Sequence, residues 1–145
     1  MTAKEYLLEI RKKKHAMNSL MLRCEELRNK AQGVGAIVYD KERVQTSPED
    51  MMSKVVVQLV DLEERYIEAI ADYYEAIRIR AEQIEQMENP VFAEILRMRY
   101  IEEERNRGLS FEQIAVRTGY TYNTVKNLHH KALREFEKKY LNFAK

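Results

Sequence analysis

The chain has 145 residues, of which 34% are charged, with only four Gly, two Pro and no Trp. This composition favours long helices and little β-sheet in one or two small domains. The single cysteine excludes a disulfide framework and a thiolate metal site. The N-terminal residues contain no apolar run long enough for a signal peptide or a membrane span. We therefore expect an all-α cytoplasmic protein.

The formal net charge of +1 is an average over segments of opposite sign. Residues 1–44 carry ten basic and six acidic side chains, and residues 45–90 carry four basic and eleven acidic ones. Residues 91–145 carry eleven basic and seven acidic side chains. A basic C-terminal part behind an acidic middle is typical of a protein whose last segment meets a polyanion such as DNA.

The first predicted helix covers residues 3–31, where apolar residues recur every three or four positions. We expect Gly33 and Gly35 to end it. A short strand, a loop and a disordered linker are all compatible with residues 32–46, and residues 32–47 are assigned as a loop. The basic run at residues 11–14 points all round a helix, which favours a solvated face or pairing with the acidic middle segment. The apolar stripe consists of Ala3, Tyr6, Ile10, Met17, Leu20, Cys24, Leu27 and Ala31, and only Lys13 interrupts it.

A second long helix is predicted from Pro48 to about Glu88, with Ser47 as its N-cap. Its apolar spacing requires a partner, which is either the first helix in an antiparallel hairpin or another subunit. Residues 1–88 are therefore predicted to form a helical hairpin or coiled coil that serves oligomerisation. The stripe consists of Met52, Val56, Leu59, Tyr66, Ile70, Tyr73, Ile77, Ile84 and Met87, with breaks at Glu63 and Arg80.

Residues 89–145 are predicted to form a second domain. Asn89 and Pro90 are typical of an N-cap and first helical position, so we expect a helix from Val91 to Arg107 with Gly108 as its C-cap.

A helix-turn-helix is predicted to follow within residues 110–134. Ser110 and Gln113 have the spacing of a capping box, Gly119 stands where the chain must turn with a positive φ, and Thr121 is a second N-cap. The second helix of such a motif enters the major groove of DNA. The predicted buried faces are Phe111, Ile114 and Ala115 in the first helix and Val125, Leu128 and Ala132 in the second.

No catalytic constellation is found in the sequence. It has no Ser-His-Asp or Cys-His set in a supporting motif, no Gly-rich nucleotide loop and no cluster of metal ligands. His129 and His130 are adjacent, so on a helix they diverge by about 100° and do not share a metal. We predict a protein that is not an enzyme and has no catalytic residues, metal or cofactor.

The segment LRMRYIEEERNRGLSFEQIAVRTGYTYNTVKNLHHKALREF, residues 96–136, resembles region 4 of bacterial sigma factors. The matching features are the LRxRY block, the Ile-Ala pair before the turn glycine, TVKN, and KALREF at the end. The layout of the whole chain is similar to that of phage-encoded transcription regulators of the RinA/ArpU type. In those proteins, a helical N-terminal part precedes one sigma-like DNA-binding unit.

The resemblance implies roles for residues of the second helix. The base-reading positions fall on Tyr122 and Asn123, and a later groove-facing position falls on Asn127. The basic positions on the phosphate side fall on Lys126, Lys131 and Arg134. The chain departs from sigma factors at Tyr122 and Asn123, where a charged pair is common.

Side-chain chemistry supports these roles independently. An asparagine at position 123 can bond an adenine edge, while Tyr122 and Thr124 can contact a thymine methyl or a phosphate. The predicted DNA-binding residues are Tyr122, Asn123, Thr124, Lys126, Asn127, His130, Lys131 and Arg134.

These observations predict a sequence-specific transcription regulator, an activator of phage late genes, in the cytoplasm of a bacterial host. It binds double-stranded DNA as a homo-oligomer, with a recognition helix at about residues 121–136 in the major groove. The alternative is a protein-interaction module that contacts RNA polymerase or another factor through the sigma-like unit and the hairpin. A purely structural helical protein is a third hypothesis, and it predicts no salt-dependent DNA binding.

Overall fold

The computed structural model describes residues 1–37, 48–103 and 107–141. These residues form helices and no strand, which confirms the all-α prediction for the described part of the chain. None of the helices in this part is both long and apolar enough to cross a bilayer. The elements are α1 (Ala3–Ile37), α2 (Pro48–Glu85), α3 (Pro90–Leu96), a π-helical turn (Arg97–Ile101), α4 (Phe111–Thr118) and α5 (Tyr122–Tyr140).

The helices are divided between two compact units. The DNA-side unit, as we name it, comprises Met1–Lys12 and Tyr74–Lys145, and the hairpin unit comprises Lys13–Tyr73. The first turns of α1 and the last turns of α2 therefore pack with residues C-terminal to residue 88. The division into domains at residues 88 and 89 does not coincide with these units and stays a prediction about function.

In the hairpin unit, α1 and α2 are linked by an ion pair and bury few side chains. Cys24 on α1 and Leu62 on α2 are buried, and Arg28 forms an ion pair with Glu63 at 2.8 Å. Tyr73 is also buried. Two helices alone enclose little volume, so most of the predicted apolar stripe in this unit is only half-buried.

In the DNA-side unit, the same two helices run antiparallel. The Tyr6 hydroxyl donates to Gln83 Oε1 at 2.7 Å, and Arg80 forms an ion pair with Glu9 at 2.6 Å. Arg80 also donates to the Tyr6 carbonyl at 2.9 Å, and its guanidinium lies 4.1 Å from the Tyr6 ring centroid. The side chain that interrupts the apolar stripe of α2 is therefore a buried cation whose donors have partners.

Two apolar clusters hold the DNA-side unit together. The larger one joins α1, the end of α2, α3, the π-helical turn and α5, and the smaller one joins the helix-turn-helix to α3. The larger cluster contains Ala3, Leu7, Ile84, Met87, Leu96, Tyr100, Ala132 and Phe136. The smaller cluster contains Ile95, Met98, Leu109, Ile114 and Val125.

The predicted end of the first helix was wrong. α1 continues through Gly33 and Gly35 to Ile37, so the first part of the predicted loop at residues 32–47 is helical. A glycine inside a helix costs only about 1 kcal/mol relative to alanine, which the neighbouring helix-forming residues can offset. Residues 38–47, including the predicted cap Ser47, lie outside the described residues. α2 begins at Pro48 as predicted and ends at Glu85, three residues early.

The third helix begins as predicted but ends sooner. Asn89 Oδ1 accepts from the Val91 amide at 2.9 Å, which confirms the N-cap. The helix does not reach Arg107, because α3 gives way to the π-helical turn, which ends at Ile101. The Glu102 amide closes that turn by donating to the Arg97 carbonyl at 2.9 Å.

Gly108 is not a helix C-cap as predicted. The chain instead returns along the end of the π-helical turn, where the Leu109 amide donates to the Met98 carbonyl at 3.1 Å and Arg99 donates to the Leu109 carbonyl at 2.9 Å. A Cβ atom on residue 108 would collide with the Arg99 carbonyl. The glycine therefore permits two backbone segments to approach closely.

Candidate nucleic-acid interface

The first helix of the helix-turn-helix, α4, begins with the predicted capping box. The Gln113 amide donates to Ser110 Oγ at 3.2 Å, and the Ser110 amide donates to Gln113 Oε1 at 2.9 Å. Two of the amides that a helix start leaves without intrahelical partners are therefore satisfied. Ile114 is fully buried in the smaller cluster, which anchors α4 against α3.

The turn between α4 and α5 also follows the prediction. Gly119 has a φ of 80° and its amide donates to the Ala115 carbonyl at 2.9 Å. Left-handed backbone of this kind is strained in residues with a Cβ, which explains the glycine. Thr121 Oγ1 then accepts from the Thr124 amide at 3.2 Å and caps α5.

The predicted inward face of α5 is confirmed. Val125 and Ala132 are fully buried, and Leu128 is half-buried against the smaller cluster. These contacts fix the angle between α4 and α5, so the opposite face of α5 is held in a constant orientation.

All eight predicted DNA-binding residues are exposed on α5. Asn123, Asn127, His130 and Arg134 are spaced four, three and four residues apart, so they form one outward stripe opposite Val125 and Ala132. We call these four residues the polar stripe. The helical period places Lys126 on one side of it and Lys131 on the other.

Tyr122 and Thr124 stand at the start of α5, where their environment is partly fixed. The Tyr122 ring packs edge-on against Phe111 with centroids 6.2 Å apart, and Lys126 Nζ lies 5.6 Å from its centroid. Thr124 Oγ1 accepts from the Thr121 hydroxyl at 2.8 Å. The Tyr122 hydroxyl end remains accessible, since 43% of the residue is exposed.

The cations beside the polar stripe are not neutralised within the described residues. Lys126, Lys131 and Arg134 form no ion pair with any residue of the three described ranges. Glu135 lies nearby in sequence but its carboxylate is 3.9 Å from Lys138 Nζ. Three exposed cations on and beside the polar stripe, with no ion-pair partner among the described residues, are an arrangement suited to a phosphate backbone.

One residue behind the interface was missed by the sequence reasoning, which treated His129 only as a metal-ligand candidate. His129 is buried, and its Nε2 lies 2.8 Å from the Tyr100 hydroxyl oxygen. Burial, followed by the charges of Arg99, Lys4 and His130, lowers the pKa of His129 to about 4. Burial likewise raises the pKa of Tyr100. The neutral phenol and the unprotonated imidazole therefore share one hydrogen bond, whose direction is set by the tautomer of the imidazole.

The signal for His129 was present in the spacing of α5. His129 stands four residues after Val125 and three before Ala132, on the same buried face. Its contacts with Tyr100, and with the Phe111 ring at a centroid distance of 4.9 Å, make it a packing element behind the polar stripe. Within the described ranges, no group of three or more His, Cys, Asp or Glu side chains could hold a metal ion.

Residues 89–136 match the family Sigma-70, region 4, which covers about a third of the chain. The match spans α3, the π-helical turn, α4 and most of α5. No curated protein and no solved structure gives a significant match to the chain. The capped helices, the glycine turn and the outward polar stripe described above fall within the matched residues. Residues 89–136 are therefore similar to sigma-70 region 4, a helix-turn-helix of the DNA-binding kind.

Proposed function

We propose that the protein is a sequence-specific transcription regulator that places α5 in the major groove of double-stranded DNA. The observation that carries this proposal is the polar stripe, which is exposed on the second helix of the helix-turn-helix and has unpaired cations on both sides. This face of α5 does not take part in packing the interior of the fold, so its side chains are available to bind a ligand.

The polar stripe and the residues beside it comprise side chains that read bases and side chains that bind phosphates. Asn123 and Asn127 carry amides that can donate and accept together, which is the pattern that adenine presents in the major groove. Tyr122 and Thr124, at the N-terminal end of α5, are placed for a thymine methyl or a phosphate. His130 extends the stripe towards the middle of α5. The phosphate-binding residues in this proposal are Lys126, Lys131 and Arg134.

The proposal extends to biological role and assembly. The layout, with long helices before a sigma-like unit, supports a phage-encoded activator of late genes that works in the cytoplasm of a bacterial host. A single small helix-turn-helix gives limited affinity, and two linked copies on paired half-sites raise it through effective concentration. The hairpin unit supports such an assembly, because Val57, Val60 and Ile67 expose between 50% and 66% of their surface.

Two alanine variants test the DNA-binding proposal. Lys126→Ala should weaken binding to every duplex by roughly tenfold or less and reduce the salt slope by about 0.9, because one phosphate contact is lost. Asn123→Ala should mainly lose discrimination between sites, by about 1–3 kcal/mol at one base position. The measurement is a fluorescence-anisotropy titration at several salt concentrations, on a duplex found by genome-wide footprinting and on a scrambled duplex.

Lys54→Ala is the matched control, since Lys54 is exposed on α2 in the hairpin unit. It should leave both affinity and salt slope unchanged. The proposal fails if the purified protein protects no site at moderate salt, or if Lys126→Ala behaves like Lys54→Ala.

The second candidate function is contact with RNA polymerase or another factor through the same sigma-like unit. The match to sigma-70 region 4 supports it, and so does Val116 on α4, an apolar side chain that is 84% exposed. Charge separates the two functions. Binding of core RNA polymerase that survives the combined loss of Lys126, Lys131 and Arg134, but is lost on Leu59→Asp in the hairpin seam, would favour protein interaction over DNA reading.

A further inference from the structure

The first three turns of α1 are built into the DNA-side unit, although they lie far from residues 89–136 in sequence. Ala3 and Leu7 are buried in the same cluster as Ala132 and Phe136 of α5. The Ala3 amide also donates to Glu137 Oε2 at 3.2 Å. α1 has a second row of side chains next to Ala3 and Leu7, and this adjacent row therefore lies beside the helix-turn-helix.

That adjacent row carries two cations. Lys4 and Arg11 are exposed and seven residues apart, with the half-buried Leu8 between them. One guanidinium nitrogen of Arg11 lies 3.3 Å from the position that a Cβ on Gly108 would take. Gly108 directly precedes Leu109 and the capping residue Ser110, so Arg11 stands at the entrance to α4.

Arg11, Arg99 and Arg107 form a group around Gly108, because Arg107 directly precedes it in the chain and the Arg99 carbonyl lies against it. Burial, followed by the charge of Arg11, lowers the pKa of Arg99, and Arg107 adds to the effect. The Arg99 guanidinium donates a hydrogen bond to the Leu109 carbonyl, and its central carbon lies 4.3 Å from the centroid of the Phe111 ring. Across the described ranges, neither Arg11 nor Arg107 forms an ion pair with a carboxylate.

Other cations of this unit are treated differently by the fold. Glu102 accepts ion pairs from Arg97 at 3.2 Å and from Arg117 at 2.8 Å. Like charges that lie close together repel each other, and an anion from outside relieves the repulsion. The group at the start of α4 is therefore suited to a ligand with a negative charge.

The position of this group identifies the anion. In a helix-turn-helix, the second helix enters the major groove while the first helix crosses the phosphate backbone. We propose that Arg11, together with Arg107, binds a backbone phosphate of the DNA beside the groove that α5 occupies. The inference rests on the proposed function and adds to it a contact from the N-terminal helix, outside the sigma-like residues.

Arg11→Gln tests this proposal in the full-length chain. On both the footprinted duplex and the scrambled duplex, affinity should fall by about threefold to tenfold and the salt slope by about 0.9. The ratio of affinities for the two duplexes should stay unchanged, because a phosphate contact carries no base information. Arg11→Lys should retain more of the affinity than Arg11→Gln, since it keeps the charge.

Lys12→Gln is the matched control, because Lys12 is the next exposed cation on α1 and points about 100° away from Arg11. It should bind both duplexes like the unaltered protein. The Tm of Arg11→Gln should not fall, since the change removes a repulsive charge beside Arg99.

Three results would overturn the inference. The first is an Arg11→Gln protein that binds with unchanged affinity and salt slope while Lys126→Ala weakens binding, and this leaves the proposed function intact. The second is a loss of affinity matched by a lower Tm, which assigns Arg11 a structural role. The third is a protein in which neither Arg11→Gln nor Lys126→Ala affects binding, which overturns the proposed function as well.

Discussion

At the scale of single residues, the buried imidazole of His129 anchors the inward face of α5. It shares a hydrogen bond with the Tyr100 hydroxyl and packs against Phe111, whose ring also contacts Tyr122. The buried histidine and the exposed Tyr122, which is a proposed base-reading residue, therefore share one aromatic neighbour. Loss of the neutral imidazole would therefore disturb both stability and the start of α5.

This histidine makes the stability of the DNA-side unit depend on pH. Its pKa is about 4 in the folded protein, below the ordinary value of 6.5, so the folded state disfavours the proton. Stability is fully present above pH 6.5 and is lost as the pH falls towards 4, because the unfolded chain takes up the proton first. We expect the free energy of unfolding to fall by about 2 kcal/mol over this window on account of His129.

Urea unfolding followed by circular dichroism at a series of pH values measures the effect. His129→Gln should remove this part of the pH dependence, although it lowers stability at neutral pH. His130→Gln is the matched control, because His130 is exposed on the same helix. The assignment to His129 is wrong if the two variants show the same dependence between pH 6.5 and 4.

At the scale of elements, three glycines stand in three different structural settings. Gly119 supplies the left-handed turn between α4 and α5, while Gly108 permits a close approach of two backbone segments. Gly33 lies inside α1, where a Cβ would meet nothing within 4 Å. Only the setting of Gly119 can be predicted from neighbouring residues alone.

Alanine at two of these positions should have opposite effects on stability. Gly108→Ala should lower the free energy of unfolding by about 3 kcal/mol or more, because the new methyl group collides with the Arg99 carbonyl, which cannot move freely. Gly33→Ala should raise the free energy of unfolding by about 0.5–1 kcal/mol, since alanine is the better helix former. Thermal unfolding of both variants measures the difference.

The two substitutions control for each other because they add the same methyl group. A Gly33→Ala protein that is destabilised would contradict the helical continuation of α1 to Ile37. A Gly108→Ala protein with unchanged Tm would contradict the close approach of residue 108 to residue 99.

At the scale of the whole molecule, the hairpin unit carries an apolar surface that its own two helices leave uncovered. Val56, Val60 and Ile67 are spaced four and seven residues apart on α2 and are between 46% and 64% exposed. This spacing is typical of a seam that pairs with another helix. We therefore expect a second copy of the chain to cover this surface.

Ile67→Glu tests the assembly without disturbing the interior, since Ile67 is already exposed. Sedimentation should show a shift towards the monomer, because a charge in an apolar seam disfavours association. Affinity for a duplex with two half-sites should fall by about tenfold or more, while affinity for a single half-site should hardly change. Gln58→Glu adds the same charge nine residues before Ile67, on the opposite face of α2, and should have neither effect.

A homo-oligomer through this surface is excluded if the unaltered protein sediments as a monomer at all concentrations. Equal sedimentation of Ile67→Glu and the unaltered protein would place the contact elsewhere on the chain.

The sequence by itself determined the features that depend on neighbours within a few residues. The capping box of Ser110 and Gln113, the turn at Gly119 and the cap at Thr121 are all local hydrogen-bonding or dihedral requirements, so their spacing is visible in the chain. The 3.6-residue period likewise predicted the buried face of α5 and hence the face left for the polar stripe. The all-α fold class and most helix starts could be predicted from the sequence for the same reason.

Only the tertiary structure decided what depends on residues distant in sequence. The ion pair of Arg80 with Glu9, the hydrogen bond of Tyr100 with His129 and the approach of Arg11 to Gly108 join segments from 29 to 97 positions apart. Composition and periodicity carry no record of such pairs, so Gly108 was mistaken for a helix end. Local helix propensity indicates where a helix can end, and long-range packing determines where it does end. The reason is that burial of distant apolar and charged groups outweighs a propensity difference of about 1 kcal/mol.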